Sequence, residues 1–269
     1  MNFKKYSLIT GAAGFLGKMH AEALLEQGNN IIITDLKKNS LSRLQKKLAD
    51  IFNESEIIAE ELNVTSENSI KELIKKLKRK NILVNVLINN AIIDHKFKNK
   101  NNFSNQSRLE NYSLRSWKKE IDVGLTGPML CSKYFGHEMA KNNISGVIIN
   151  IGSELSVIAP NQNIYSINSK NIRPVKPVTY SVIKHGIIGL TKYIATYWPD
   201  NKIRCNCLSP GPVDQGQNKV FLNKLKNQIP MKRLAKIGEY KGAIKFLCSE
   251  DSSYMNGHNM ILDGGRSIW

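Results

Sequence analysis

Residues 6–17 read Tyr6-Ser7-Leu8-Ile9-Thr10-Gly11-Ala12-Ala13-Gly14-Phe15-Leu16-Gly17. The first five predict a short buried strand, which runs directly into a glycine-rich turn. Helical spacing over residues 19–27, followed by Gly28 as a natural C-cap, predicts a helix after the turn. Glycines let the backbone approach an anion, while free N–H groups and the helix dipole favour negative charge. The stretch therefore predicts a phosphate cradle for a dinucleotide.

A carboxylate follows the next predicted strand. Residues 30–34 read Asn-Ile-Ile-Ile-Thr and are strand-like, and Asp35 stands 24 residues after Gly11. A carboxylate at this distance accepts hydrogen bonds from a ribose 2′-hydroxyl and repels a 2′-phosphate. This favours NAD over NADP as the cofactor. The alternative is a strand-end aspartate that only caps a turn.

Further strands alternate with helices along the chain, which is typical of an α/β fold with a parallel sheet. The spacing favours a doubly wound, seven-stranded Rossmann-type sheet with helices on both faces. We find no internal repeat or linker, so residues 1–269 are expected to form one domain. Residues 94–115 are polar and aperiodic and predict a loop with one short helix. Beyond the first two strands, the sequence predicts strands at residues 56–62, 85–89, 146–151, 203–208 and 259–262, and helices at 40–52, 66–80 and 117–141.

Composition narrows the class of protein. With 269 residues and 41% hydrophobic residues, the chain can bury a substantial core. No apolar run approaches the ~20 residues of a membrane span, and no secretory segment is evident, so a cytoplasmic protein is expected. The cysteines have no metal-site spacing and are interpreted as reduced structural thiols, with no metal expected. These four residues are Cys131, Cys205, Cys207 and Cys248.

The formal net charge is +17. It could indicate nucleic-acid binding, but the lysines are spread from Lys4 to Lys245 rather than gathered in one stripe. Compositional drift towards lysine and asparagine is favoured, with a secondary role in attracting anionic ligands. No nucleic-acid partner is expected.

Tyr180 and Lys184 are four residues apart and would share one face of a helix. A cation near a phenol stabilises the phenolate and lowers a pKa that is otherwise about 10. Such a tyrosine can exchange a proton with an alcohol or a carbonyl near neutral pH. Taken alone, the pair also fits a solvated helix face.

Several motifs occur together over nearly the whole chain: Thr10-Gly11-Ala12-Ala13-Gly14-Phe15-Leu16-Gly17, Asn89-Asn90-Ala91, Ser153, Tyr180-x-x-x-Lys184, Ser209-Pro210-Gly211 and Asp263-Gly264-Gly265. In this combination and order, the chain resembles a short-chain dehydrogenase/reductase of the compact branch. The resemblance implies an enzyme that transfers hydride between a nicotinamide cofactor and an alcohol or ketone.

The resemblance also implies roles for individual residues. Tyr180 would be the general acid or base, Lys184 would lower its pKa and bind the nicotinamide ribose, and Ser153 would hydrogen-bond the substrate oxygen. Other parts of the cofactor would be bordered by Pro210, Gly211 and Val213 at the nicotinamide, Asn63 and Val64 at the adenine, and Asn89 and Ala91 at the adenosine ribose. The full implied cofactor set is Thr10, Gly11, Gly14, Phe15, Leu16, Gly17, Asp35, Leu36, Asn63, Val64, Asn89, Asn90, Ala91, Tyr180, Lys184, Pro210, Gly211 and Val213.

The sequence departs from the family pattern at four positions. Phe15 and Ile92 stand where glycine is usual, and Asn63 replaces an aspartate. Gly124 aligns with the family's active-site asparagine, which helps to position a proton-relay water. The Gly14 and Gly17 spacing resembles the longer epimerase-type branch, but only 85 residues follow Lys184, too few for its substrate domain.

An insertion separates the implied catalytic residues, because Ser153 precedes Tyr180 by 27 positions. The extra stretch, residues 159–177, is expected to form a loop over the substrate cleft. Its polar and charged residues include Tyr165, Lys170, Arg173 and Lys176. The cations suggest an anionic substrate, such as a sugar phosphate or nucleotide-activated sugar. A solvated loop with incidental lysines is an equal alternative.

Four segments also resemble the flagellin-modification oxidoreductases linked to bacterial nonulosonic-acid sugars. They are residues 152–162, 176–184 and 263–269, together with Val123-Gly124-Leu125-Thr126-Gly127. By this resemblance, Gly124 is a feature of the subgroup, and surface-glycan metabolism is the implied pathway. The family also implies a homodimer or homotetramer, and the apolar end Ile268-Trp269 fits burial at such an interface. A non-catalytic dinucleotide sensor and a nucleic-acid-binding protein are the alternative functions.

Overall fold

A computed structural model describes residues 3–93, 105–165 and 174–269. Seven parallel strands form one sheet in the order β3-β2-β1-β4-β5-β6-β7. The predicted seven-stranded parallel sheet is therefore confirmed. The strands are β1 (Lys4–Thr10), β2 (Ile31–Asp35), β3 (Ile57–Glu61), β4 (Ile82–Asn89), β5 (Gly146–Ile151), β6 (Ile203–Pro210) and β7 (Asn259–Leu262).

The strand order reverses between β1 and β4. The chain proceeds from β1 outward through β2 and β3, then crosses back to place β4 on the other side of β1. At such a reversal the loops beyond the two carboxyl ends diverge and leave a crevice, where open α/β sheets bind ligands. The glycine-rich turn after β1 and Asn90 after β4 both lie at this crevice.

Helices cover both faces of the sheet, as predicted. They are α1 (Phe15–Leu25), α2 (Lys38–Ala49), α3 (Glu67–Arg79), α4 (Leu114–Ile121), α5 (Gly127–Lys141), α6 (Val178–Tyr197), α7 (Lys219–Lys226) and α8 (Lys241–Cys248). Consecutive strand residues point to opposite faces of the sheet and pack in two separate hydrophobic cores. Leu8 and Ile148 pack with α3, α5 and α6. Ile9 and Ile149 pack with α1, α2 and α8 on the other face. The central strands are rich in isoleucine, valine and leucine because both of their faces are buried.

The helix predicted over residues 117–141 is not one regular helix. A π-helical turn at Asp122–Thr126 separates α4 from α5. Gly124 and Gly127 lie within or next to this turn, where a Cβ would come within 2.8 Å of Ile183 and Val64 respectively. The two glycines let the chain pass close to these neighbours, and the widened turn absorbs the local change in path.

Other predicted boundaries differ by a few residues. The first helix begins at Phe15 rather than at residue 19, because Gly14 already acts as its N-cap. The predicted loop over residues 94–115 is described only from residue 105, where two short helical turns precede α4. Among the described helices, none combines the length and the apolar character that crossing a membrane requires.

His20 lies in α1 directly behind the glycine-rich turn and is fully buried. Burial lowers the pKa of His20 to about 3, because the charged imidazolium would lose its hydration. The unfolded chain binds a proton near pH 6.5 while the folded chain does not. Stability contributed by neutral His20 is therefore lost as the pH falls below about 6.5.

We expect acidification from pH 7 to pH 5 to lower the free energy of unfolding by about 2 kcal/mol through His20. Urea unfolding at several pH values measures this change. His20→Leu should lose that part of the pH dependence, whereas His137→Asn, which removes an exposed histidine, should retain it. Equal pH slopes for wild type and His20→Leu would contradict the assignment.

Candidate active site

The glycine-rich turn packs directly against the segment after β4. Gly11 has a φ of +62°, and a Cβ there would lie 2.8 Å from the Cα of Ala91. A Cβ at Gly17 would collide with the carbonyl oxygen of Gly11, and one at Gly14 would lie 3.0 Å from it. Only glycine allows this left-handed turn and the tight path into α1. These constraints fit a loop that brings backbone N–H groups close to a phosphate.

Thr10 and Asn90 fasten the turn to β4. The Asn90 side-chain amide donates to the carbonyl oxygens of Thr10 and Gly11 at 2.9 and 3.0 Å. The Thr10 hydroxyl accepts from the backbone N–H groups of Asn90 and Ala91 at 3.0 and 3.1 Å. The cradle is thus held rigidly at the reversal of strand order. Thr10 and Asn90 shape the turn through these contacts.

Asp35 ends β2 beside the turn. Its carboxylate accepts from the backbone N–H of Ala13 at 3.2 Å and from that of Leu36 at 2.8 Å. The aspartate therefore does cap local backbone, which was the alternative to ribose binding. The two roles are compatible, because a carboxylate has about four acceptor positions and two are used here. Leu36 is exposed immediately after it.

The residues expected at the adenosine differ in how they are placed. Asn63 is exposed, but its side-chain oxygen accepts from the backbone N–H and hydroxyl of Thr65. Val64 is buried against Gly127. The Asn89 side chain is also buried, and its amide donates to Asn150 at 2.8 Å and to Ser132 at 3.0 Å. The Asn89 side chain thus links β4 to β5 and α5 inside the core rather than lining an open pocket.

Tyr180 and Lys184 occupy the first two turns of α6, as expected. The Lys184 ammonium is buried and donates to the carbonyl oxygen of Ile151, the last residue of β5, at 2.7 Å. It lies 5.7 Å from the centre of the Tyr180 ring. Lys176 lies on the same ring, with its ammonium 3.6 Å from the ring centre. The structure thus places two cations within 6 Å of the centre of the Tyr180 ring.

Ser153 follows β5 by two residues and is brought to the same edge of the sheet as Lys184. Its hydroxyl accepts from the backbone N–H of Leu155 at 3.2 Å and donates to the Glu154 carboxylate at 2.7 Å. The other oxygen of Glu154 pairs with Arg266, which lies near the C-terminus. The sequence did not predict this ion pair, because 112 residues separate its two members.

A pocket beside Tyr180 is lined by both apolar and charged residues. The lining residues are Ile92, Ile93, Glu120, Lys176, Pro177, Tyr180 and Ile183. Glu120 is only 5% exposed and accepts hydrogen bonds from Tyr112 and Thr179. Burial raises the pKa of Tyr112 to about 12, so its phenol remains protonated and donates to Glu120. Sequence reasoning missed Glu120, because a glutamate in an amphipathic helix ordinarily faces solvent.

Two departures from the family pattern meet in one apolar cluster. Ile92, which stands where glycine is usual, packs against Ile183, Ile187 and Cys207. Gly124, which stands at the family's asparagine, faces the Ile183 side chain. The space that a side chain at position 124 would need is therefore filled by Ile183. The water-positioning asparagine is absent and hydrocarbon takes its place.

The Pro210–Gly211 motif ends β6 in close contact with the segment after β7. The Gly211 N–H donates to Leu262 at 2.7 Å, and the Tyr240 hydroxyl donates to the Gly211 carbonyl oxygen at 2.9 Å. A Cβ at Gly211 would lie 2.6 Å from the Cα of Asp263. Val213 is buried nearby. The motif is thus held at the carboxyl edge, where the resemblance placed the nicotinamide.

The insertion is described only at its two ends, and Lys170 and Arg173 lie outside the described residues. Near the first end, Tyr165 is buried and its ring packs 5.3 Å from that of Phe221 in α7. Near the second end, the backbone N–H of Lys176 donates to Gln162 at 2.8 Å. This bond ties the two described ends together beside Tyr180. A loop over the cleft stays a prediction.

The glycine-rich turn and the anchored Tyr180 and Lys184 pair lie at the carboxyl edge of one parallel sheet, an arrangement that fits a nicotinamide-dependent oxidoreductase. Residues 11–267 match the family model described as Enoyl-(Acyl carrier protein) reductase. The chain belongs to this family of short-chain dehydrogenases/reductases, and it is an oxidoreductase of the type that acts on alcohols or ketones.

Three curated relatives align over more than nine-tenths of their own length. An uncharacterized oxidoreductase of Thermotoga maritima is 29% identical, with 99% of each chain covered. An NAD-dependent glycerol dehydrogenase of Listeria innocua is 26% identical over 98% of this chain and 94% of the relative. A ribulose-forming D-arabinitol 2-dehydrogenase of Candida tropicalis is 27% identical over 98% of this chain and 93% of the relative.

Solved structures share the fold over the full chain. A putative gluconate dehydrogenase from Agrobacterium tumefaciens superimposes with a TM-score of 0.85 at 26% identity, covering 99% of this chain and 97% of the other. A short-chain dehydrogenase from Leptospira borgpetersenii with bound NAD+ has a TM-score of 0.81 at 27% identity, covering 99% and 94%. A gluconate 5-dehydrogenase from Burkholderia cenocepacia in complex with NADP and tartrate has a TM-score of 0.84 at 23% identity, covering 100% and 97%.

Restoring the family's asparagine should destabilise this protein. A Cβ at position 124 would lie 2.8 Å from Cγ2 of Ile183, a buried β-branched residue on a helix with little freedom to move. We expect Gly124→Asn to lower the free energy of unfolding by about 1–3 kcal/mol. Gly189→Asn is the matched control, because a Cβ there meets no atom within 4 Å. Comparable urea-unfolding midpoints for the two variants would contradict this account.

Proposed function

We propose that this protein transfers hydride between NAD(H) and a hydroxyl or keto group of a sugar-derived substrate. The observation that carries the proposal is the anchoring of Lys184 at Ile151 beside Tyr180. This contact joins the start of α6 to the end of β5, two residues before Ser153. Base, cation and positioning hydroxyl are thereby attached to neighbouring elements at the ligand-binding edge of the sheet.

A nicotinamide cofactor held by the glycine-rich turn and Asp35 would supply the hydride acceptor for alcohol oxidation. Tyr180 would take the hydroxyl proton, so a carbonyl is left and both hydrogens are accounted for. Lys184 and Lys176 stabilise the tyrosinate that receives the proton. The reverse direction uses the same groups, with Tyr180 as the proton donor.

Asp35 supports the preference for NAD. Its carboxylate lies at the glycine-rich turn and retains acceptor positions for a ribose diol, while its charge opposes a 2′-phosphate. Relatives and structural neighbours include both NAD and NADP proteins, so this preference rests on Asp35 alone.

Thermal unfolding with NAD+, NADH, NADP+ and NADPH tests the cofactor preference. A ligand that binds only the folded state raises stability by RT ln(1 + [L]/Kd). We expect NAD+ and NADH to raise the unfolding temperature more than NADP+ and NADPH do. Asp35→Asn should reduce this difference between the two cofactor pairs. Asp50→Asn, which removes an exposed carboxylate after α2, should leave it unchanged. A wild-type preference for NADP(H) would overturn the role of Asp35.

The pocket beside Tyr180 supports a hydroxylated substrate with an anionic group. The Glu120 carboxylate can accept hydrogen bonds from hydroxyl groups, and the Lys176 ammonium can attract negative charge. Relatives named for glycerol and D-arabinitol act on polyols. The resemblance to flagellin-modification oxidoreductases extends this proposal to bacterial surface-glycan metabolism, with a sugar phosphate or nucleotide-activated sugar as the substrate.

Exposed apolar side chains on α5 and α6 support a homodimer or homotetramer. Met129, Val182, Tyr193 and Tyr197 are each at least 40% exposed on these helices. The C-terminal Trp269 is 70% exposed. Packing against a second copy would remove this surface from water, as the family resemblance implies.

Removal of the Tyr180 hydroxyl distinguishes an oxidoreductase from a protein that only binds the dinucleotide. We expect Tyr180→Phe to lower kcat by about 10²–10⁴-fold, because the proton acceptor is lost while the ring and its cation contacts remain. NAD+ should still raise the unfolding temperature of the variant nearly as much as that of the wild type. The measurement is turnover on a panel of sugar alcohols, sugar phosphates and nucleotide sugars. Tyr193→Phe, an exposed position on the same helix, is the control.

Unchanged turnover in Tyr180→Phe would remove Tyr180 from the mechanism. Cofactor binding without turnover by the wild type on any member of the panel would favour the non-catalytic dinucleotide sensor.

A further inference from the structure

A buried ion pair lies next to Ser153. Glu154 and Arg266 are 5% and 6% exposed, and the Arg266 guanidinium contacts Oε1 of the Glu154 carboxylate. Oε2 of the same carboxylate accepts a hydrogen bond from the Ser153 hydroxyl at 2.7 Å. The three side chains thus form a chain of charge-assisted contacts that ends at the residue expected to touch the substrate oxygen.

The C-terminal segment is built to deliver Arg266 to this position. Asp263 accepts from the backbone N–H groups of Gly265 and Ser267 at 2.9 and 2.7 Å, which fixes the turn that carries Arg266. The second guanidinium nitrogen donates to the Gln228 side chain at 3.0 Å. The arginine is therefore held from both sides, and its orientation does not depend on Glu154 alone.

The charge of Arg266 affects which acceptor receives the hydrogen bond from the Ser153 hydroxyl. Ser153 has a single hydroxyl proton, and the structure directs it at Glu154. To assist a substrate oxygen that gains negative charge, Ser153 must turn this proton towards the substrate. A carboxylate that is already paired with a guanidinium is a weaker competitor for the serine hydrogen bond than an unpaired buried carboxylate would be. An unpaired charge at Glu154 would also repel the charge that forms on the substrate oxygen.

We propose that Arg266 is a positioning residue that acts on Ser153 through Glu154. It holds the carboxylate that orients the hydroxyl and cancels a charge that would otherwise keep the serine proton from the substrate. The C-terminal segment is thereby part of the active site. This inference rests on the proposed oxidoreductase function.

The test compares Arg266→Gln, Glu154→Gln and the double variant in steady-state assays, on a substrate that the wild type turns over. Arg266→Gln leaves the carboxylate unpaired, so we expect kcat to fall by about 30-fold, with the KM for NAD+ little changed. The double variant removes both charges and should recover most of this loss, because Ser153 is then free to donate to the substrate. Arg266→Lys, which retains the charge, should lie between wild type and Arg266→Gln.

The pH profile is the readout that a merely structural ion pair would not move. In Arg266→Gln, the deficit in kcat relative to wild type should shrink as the pH is lowered, because protonation removes the unpaired charge of Glu154. The double variant should lack this effect. Lys78→Gln is the control, since it breaks a 2.6 Å ion pair with Glu138 far from Ser153. Thermal shifts with NAD+ verify that each variant is folded and binds cofactor.

The outcomes distinguish a failure of the role of Arg266 from a failure of the oxidoreductase function. A double variant that is as slow as Arg266→Gln, or slower, with no difference in pH profile, would overturn the role of Arg266 and leave the oxidoreductase function standing. An arginine variant with unaltered kcat would do the same. A wild type without turnover on any substrate would reject the proposed function and this inference with it.

Discussion

The close approach of Gly11 to Ala91 is the constraint on which the site depends. It joins the turn after β1 to the segment after β4, across the point where the strand order reverses. Asn90 and Thr10 then bond the two segments together through four hydrogen bonds, which hold the turn in place. A turn that is held in this way loses less conformational entropy on binding a ligand, which is the usual advantage of a rigid site.

Two positions at which this chain departs from the family pattern lie next to each other in the structure. Gly124 and Ile92 each remove a feature of the family pattern, and both contribute to the apolar cluster around Ile183. This cluster lies directly beside Lys184 in sequence and lines the pocket at Tyr180. Position 124, where the family pattern has an asparagine, is therefore packed against hydrocarbon in this protein.

The candidate site contains buried negative charge although the chain as a whole is strongly positive. The formal net charge is +17, yet two carboxylates, Glu120 and Glu154, are buried at the carboxyl edge of the sheet. Each is held by neighbouring donors, as a buried charge must be to offset its desolvation. The general excess of lysine can draw anions towards the protein, while these local groups decide how a substrate is held.

The sequence by itself determined the fold class, the order of the elements and the positions of the glycine-rich turn and of the Tyr180 and Lys184 pair, whereas Ser153 was implied only by the family resemblance. The former signals are local, because strand periodicity, glycine spacing and a four-residue helical interval are each readable within one segment. The tertiary structure decided the break in the helix at Gly124, the burial of Asn89, and the places of Glu120 and Lys176 beside Tyr180. It alone decided that Arg266 reaches Glu154, since residues 112 positions apart meet only when parallel strands bring their carboxyl ends to one edge of the sheet.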